Sequence, residues 1–152
     1  MNSLRRTLIS RAFTLGAVAM TGLLKPLHAL AAEWNKVAFD AKTLPEALKG
    51  AGVQNAVESK DIIIKAPDIA ENSAVVPVEV TCKIPGAQMI SLFADKNPQP
   101  LIAQFVIADG VEPYISTRIK MGDTGNIRVV VQAGGKNYTA SKEVKVTIGG
   151  CG

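Results

Sequence analysis

With 47% hydrophobic and 20% charged residues over 152 positions, the chain can bury one core and is too short for two full-sized domains. Its formal charge of +4 is concentrated at the N-terminus: residues 1–31 hold four of the 17 basic residues and none of the 13 acidic ones, so the remainder is balanced at 13 of each. That balance excludes the electrostatic footprint of a nucleic-acid binder. The single histidine, His28, lies in the same segment, so the rest of the chain lacks the commonest general base and metal ligand.

The N-terminus has the layout of an export signal. Arg5, Arg6 and Arg11 precede an apolar run from Ala12 to Leu24, and small residues cluster at Ala29, Ala31 and Ala32. The run is about 13 residues, shorter than the roughly 20 that span a bilayer, so no membrane insertion is expected. The Arg5-Arg6 pair, a mild h-region rich in Ala, Gly and Thr, and Lys25 just after it point to the twin-arginine route to the periplasm, with cleavage expected after Ala31. Residues 1–31 are thus read as a leader.

Residues 32–60 read as a short helical segment. Thr43 and Glu46 have capping-box spacing, Pro45 lies in the first turn, and Gly50 or Gly52 ends the helix. The preceding EWNKVAFDAK adds a further helical turn, with Trp34, Val37 and Phe39 expected to dock it. From Asp61 onward the pattern is that of strands. DIIIK is a short buried run, and AVVPVEVTCKI alternates, with Val76, Val78, Val80, Cys82 and Ile84 on one face. AQMISLFAD, LIAQFVIAD, PYISTRIKM, NIRVVVQA and NYTASKEVKVTI follow, separated by turn residues such as Pro85-Gly86 and Gly134-Gly135. Pro77 demotes its strand to an edge or a bulge. About seven strands at regular spacing over residues 61–148 predict an all-β, immunoglobulin-like antiparallel sandwich.

Residues 149–152 stand apart as a tail. Cys82 belongs to the inward set of its strand and reads as a small buried hydrophobe. Cys151 follows Gly149-Gly150 and precedes Gly152, the last residue. Glycines admit almost any backbone angle and remove side chains that would crowd the sulfur, so Gly149, Gly150 and Gly152 read as a hinge. Three extended residues reach roughly 10 Å past the strand end, enough to enter a cleft on another protein. A Cys82–Cys151 disulfide would need a buried mid-strand position to meet that tail. The α-carboxylate of Gly152 disfavours the thiolate, and no histidine activates it. These residues make Cys151 a covalent attachment point that partner enzymes act upon. No catalytic residue, metal ligand or cofactor is expected in the chain itself. The competing readings are a periplasmic interaction module using Cys151 only for intermolecular disulfides, including a Cys151-linked homodimer, and an autonomous thiol enzyme.

The terminal VKVTIGGCG resembles the Gly-Gly-Cys-Gly-Gly tail of the SoxY family of sulfur carriers. IAENSAVVPVEV, NPQPLIAQFVIADG, ISTRIKMGDTGNIRVVV and GKNYTASKEVKVTIGG are similar to that family's other blocks in the same order. The resemblance covers about Ile62 to Gly152. It implies a non-catalytic carrier that pairs with a second small sandwich protein of the SoxZ type and holds sulfur intermediates on Cys151. A c-type cytochrome enzyme would conjugate thiosulfate there, a hydrolase would release sulfate, and in some organisms a sulfur dehydrogenase would oxidise the remaining sulfur. The chain departs from the family in having one glycine after the cysteine rather than two. Asn72 and Arg118 lie in matching blocks, where their chemistry alone reads as a turn and a surface-strand residue.

Overall fold

The structure is a computed structural model and describes residues 34–147. The chain divides into two units, residues 1–34 and 35–152, and the helices and strands described belong to the second. Helices α1 (Lys36–Phe39) and α2 (Leu44–Gly50) come first. The strands are β1 (Val57–Glu58), β2 (Ile62–Lys65), β3 (Ile69–Ala70), β4 (Val76–Cys82), β5 (Ala87–Ala94), β6 (Leu101–Val106), β7 (Tyr114–Ile119), β8 (Gly125–Ala133) and β9 (Lys136–Val146).

Both helices are set by local signals. Thr43 Oγ1 accepts from Glu46 N at 3.4 Å and caps α2, with Pro in its first turn. Asn35 caps α1 by accepting from Ala38 N at 3.2 Å and donates to Gly50 O at 2.9 Å, which ties the start of α1 to the end of α2. The crossing is close: a Cβ on Gly50 would lie 2.8 Å from Ala38 Cα. The sequence points to Trp34, Val37 and Phe39 as docking residues, but Trp34 is 67% and Val37 75% exposed, and Ala38 is the fully buried residue. One helical turn can bury only one stripe, and the tight approach at Gly50 selects the smallest side chain for it. Phe39 packs partly against the same cluster.

The strands form two sheets. The larger runs β1-β9-β8-β5-β6, with β3 also paired to β9; the smaller is β2-β4-β7. They face each other across a core built from Val76, Val78 and Val80 on one side and Ile90, Leu92, Ile127, Val129 and Val131 on the other, with Cys82 among them. The helices cover the outer face of the larger sheet around Phe93, Leu101 and Val130. That second covering explains why β5 does not alternate: Ile90, Ser91, Leu92, Phe93 and Ala94 are all buried, because neighbours on opposite faces both meet protein. Between β8 and β9, Gly134 and Gly135 both have positive φ, the backbone that a two-residue hairpin turn demands.

Three details differ from the sequence reading. The seven expected strands are joined by β1 and β3, each of two residues and each paired in parallel with β9, so the pairing is not wholly antiparallel. The expectation that Pro77 marks an edge strand is corrected, since β4 is the centre of its sheet. Lys83 N donates to Asp61 O and Cys82 N to Pro113 O, so odd-numbered amides of β4 point towards β2 and even-numbered ones towards β7. β2 stops at Lys65, opposite Glu79, and at Pro77 the missing N–H faces a side with no strand left to serve. The last strand ends at Val146, short of the expected Ile148.

Candidate functional site

Cys151 and its glycines Gly149, Gly150 and Gly152 lie outside the described residues. The described part of the site is therefore the root from which they continue, at the end of β9. The last registered pair between β9 and β8 is Val144 with Gly125. Beyond it a side chain takes over from the sheet. Val146 N donates to Thr124 Oγ1 at 2.9 Å, and Thr124 Oγ1 donates to Val146 O at 3.4 Å. The alternate residues face the opposite edge, where β3 waits. Lys145 N donates to Asp68 O at 2.9 Å, Thr147 N to Ala70 O at 3.3 Å, and Thr147 Oγ1 to Ala70 O at 3.4 Å. Lys142 Nζ lies 3.0 Å from Asp68 Oδ1, but Asp68 is 91% exposed, and a solvated pair of this kind adds little.

The loops at this end are tied to one another. Asn97 donates to Lys120 O at 2.8 Å and accepts from Gly122 N at 2.7 Å, which joins the β5–β6 loop to the β7–β8 loop. Met121 N donates to Ser73 O at 2.8 Å, which adds the β3–β4 loop. Asp95 and Arg128 form a half-buried ion pair at 3.3 Å nearby. The end of the sandwich that leads into the tail is a latched platform, held by the Thr124 side chain where pairing with β8 has run out and by main-chain pairing with β3 on the other edge.

Of the other residues that the sequence marks, Asn72 sits at this same end, where its Oδ1 accepts from Ala74 N at 3.0 Å and closes a local turn. Arg118 is exposed on β7, opposite Pro77. The structure brings neither into a chemical constellation. Among the described residues there is no group of three His, Cys, Asp or Glu side chains placed to hold a metal ion. Nor is any described helix long and apolar enough to cross a membrane. Sequence reading misses Thr124, Asp68 and Asn97. GDTGN reads only as a turn, and nothing in its spacing reveals that its threonine meets a strand 22 residues on.

Cys82 occupies the other end. It is 5% exposed and borders a shallow cleft of about 280 Å³ with Pro85, Gly86 and Asp109. Ala87 of the same cleft pairs with Ala133, and β8 runs nine residues from there back to Gly125 beside the tail root. At about 3.4 Å per residue that is roughly 27 Å. Burial pushes the Cys82 thiol up from its ordinary value of 9.0; a main-chain contact at Ile84 opposes the rise and the Asp61 carboxylate adds to it. A thiol whose pKa is raised by folding contributes stability that is intact below the unfolded value and is lost as pH climbs through the folded one. Urea midpoints of the native protein should therefore fall above pH 9.0 relative to a Cys82→Ala variant, while below that pH the difference between the two stays constant. Peptide mapping after iodoacetamide treatment at neutral pH should find Cys82 unmodified until the protein is unfolded. Rapid native labelling of Cys82 would contradict this burial.

Comparison with known proteins adds to this geometry. The family model described as "Sulfur oxidation protein SoxY" matches residues 48–151. Among solved structures, the sulfur carrier protein SoxY from Chlorobium limicola f thiosulfatophilum is 47% identical with a TM-score of 0.61, over 68% of this chain and 96% of its own. A structure of the bacterial superantigen toxic shock syndrome toxin-1 matches at 14% identity and a TM-score of 0.40, over 57% of this chain and 99% of its own, which is too distant to bear on fold or function. No curated protein matches the chain.

Proposed function

The chain belongs to the SoxY family, and from that premise we propose that it is a periplasmic sulfur carrier of thiosulfate oxidation, with Cys151 as the attachment point. The observation that carries this reading is the extent of the family match, which runs to residue 151 and so includes the cysteine. The described residues agree in character: a latched platform at the root of the tail, and one further thiol that is buried at the far end.

In this reading the protein is substrate carrier rather than catalyst. Conjugation joins the Cys151 sulfur to the outer sulfur of thiosulfate; the thiol proton is released and two electrons leave to a c-type cytochrome enzyme. A hydrolase then adds water across the bond to the sulfonate, releasing sulfate and leaving a persulfide on Cys151. A sulfur dehydrogenase oxidises that persulfide where one is present. Gly149 and Gly150 form the hinge, and Gly152 keeps the far side of the sulfur clear. The twin-arginine leader over residues 1–31 carries the folded protein to the periplasm, where a SoxZ-type sandwich partner joins it. The immunoglobulin-like character of the sandwich belongs to the same reading.

Intact-mass measurement tests it. The mature protein, incubated with its partner, the cytochrome enzyme and thiosulfate, should gain the mass of one thiosulfate on the peptide containing Cys151. Addition of the hydrolase should reduce that gain to a single sulfur atom. Disulfide-linked dimers with no sulfur adduct would point instead to a module that uses the cysteine only for cross-linking.

A further inference from the structure

We propose that Thr124, backed by the Asp68–Ala70 strap, is a positioning residue that fixes the free length of the carrier tail; this rests on the carrier reading above. The hydroxyl of Thr124 is both donor and acceptor, and it meets both main-chain groups of Val146 on the edge that β8 has already left. The strap holds Lys145 and Thr147 on the opposite edge. The strand is thus gripped from both sides for three residues past its last pair with β8.

This grip decides where the arm begins. Rooted at Thr147, Cys151 lies four residues out, a reach of roughly 13 Å in extended chain. The pairing with β3 is only two residues long. Where it gives way with the Thr124 latch, the strand frays back to Val144, its last residue paired with β8; Cys151 then lies seven residues out and the reach grows to roughly 23 Å. A tethered group is presented to a second site at highest effective concentration when its tether matches the span, and less so when the tether is longer. Partner enzymes that must receive the cysteine at a fixed depth would therefore meet it less often on an unlatched arm. Thr124 sits in the β7–β8 loop, and Val146, which it holds, packs at the margin of the core, so thermal midpoints of the variants are compared alongside the readouts below.

The test compares Thr124→Val, which keeps the shape and loses the hydroxyl, with Thr124→Ser, which keeps the hydroxyl. Amide exchange at Val146 should be about tenfold faster in the valine variant and near native in the serine variant, since local opening sets that rate. Thiosulfate loading by the cytochrome enzyme should lose about three- to tenfold in kcat/KM with valine, through KM rather than kcat, and recover with serine. Alkylation of Cys151 by iodoacetamide should be the same in all three proteins, because a small reagent is indifferent to arm length. Unchanged exchange in Thr124→Val would show that the hydroxyl does not hold the strand, and would overturn the proposal. Faster exchange with unchanged loading would overturn the positioning role while leaving the carrier reading intact. A native protein that takes up no sulfur at Cys151 would remove the carrier reading and this role with it.

Discussion

Cys151→Ser is expected to fold as the native protein does and to accept no sulfur. The substitution exchanges sulfur for oxygen between glycines, which carry no side chains to pack against it. What changes is chemistry. A thiol can be oxidised into a sulfur–sulfur bond and later released from it by hydrolysis or further oxidation. An alcohol has no corresponding step, and its proton is far harder to remove at neutral pH. Thiosulfate-dependent reduction of the cytochrome enzyme should fall to background, with thermal midpoint and circular dichroism unchanged. Cys82 serves as an internal control, since its thiol is buried and its pKa raised by that burial. An adduct in the Cys151→Ser protein, at Cys82 or elsewhere, would sink the assignment of Cys151 as the carrier group.

The largest effect on stability is expected from Phe93→Ala. Phe93 is fully buried on the outer face of β5, beneath the helices, and is the largest member of its cluster. The other buried members of that cluster, Ala38, Ala47, Ala51, Val53, Leu101 and Val130, all have smaller side chains. Truncating a buried phenylalanine costs about 3–5 kcal/mol, against about 5–15 kcal/mol for a whole domain. For a domain of this size that lowers the melting temperature by roughly 10–20 °C. Exposed Val106 provides the contrast: its replacement by alanine should stay within about 0.5 kcal/mol. A loss under about 1 kcal/mol at Phe93 would mean that the helical layer adds little to the fold.

The parts of this molecule that are legible in sequence are those decided by near neighbours. The alternation of Val76, Val78, Val80 and Cys82 marks a half-buried strand, and Thr43 with Glu46 marks a helix start. The role proposed for Cys151 is read from equally local signals, its flanking glycines, and lies outside the described residues. What escapes is decided by distant partners. β1 and β3 are too short to carry a period, and they exist because β9 offers them an edge about 80 residues later. Val37 and Ala38 are equally plausible as docking residues until the approach of Gly50 is known. Pro77 is informative about hydrogen bonding and misleading about strand order, because a local rule senses one missing donor and not the length of the neighbouring strand. Thr124 belongs to the same class: its role depends on a strand end that no spacing within GDTGN encodes.

The parallel staples on β9 bear on how the protein is made. Val57 pairs with Tyr138 and Ile69 with Lys145, so the first and last strands of the larger sheet meet across almost the whole domain. Pairings of such high contact order are slow to form, because the loop they close must be ordered before they return any stabilisation. During synthesis, β1 and β3 have no partner until β9 has left the ribosome, and β8 keeps a bare edge until then. The larger sheet is therefore completed only when β9 arrives. A chain truncated before β9 would leave β1 and β3 unpaired and β8 open on one side, and so would be marked as unfolded.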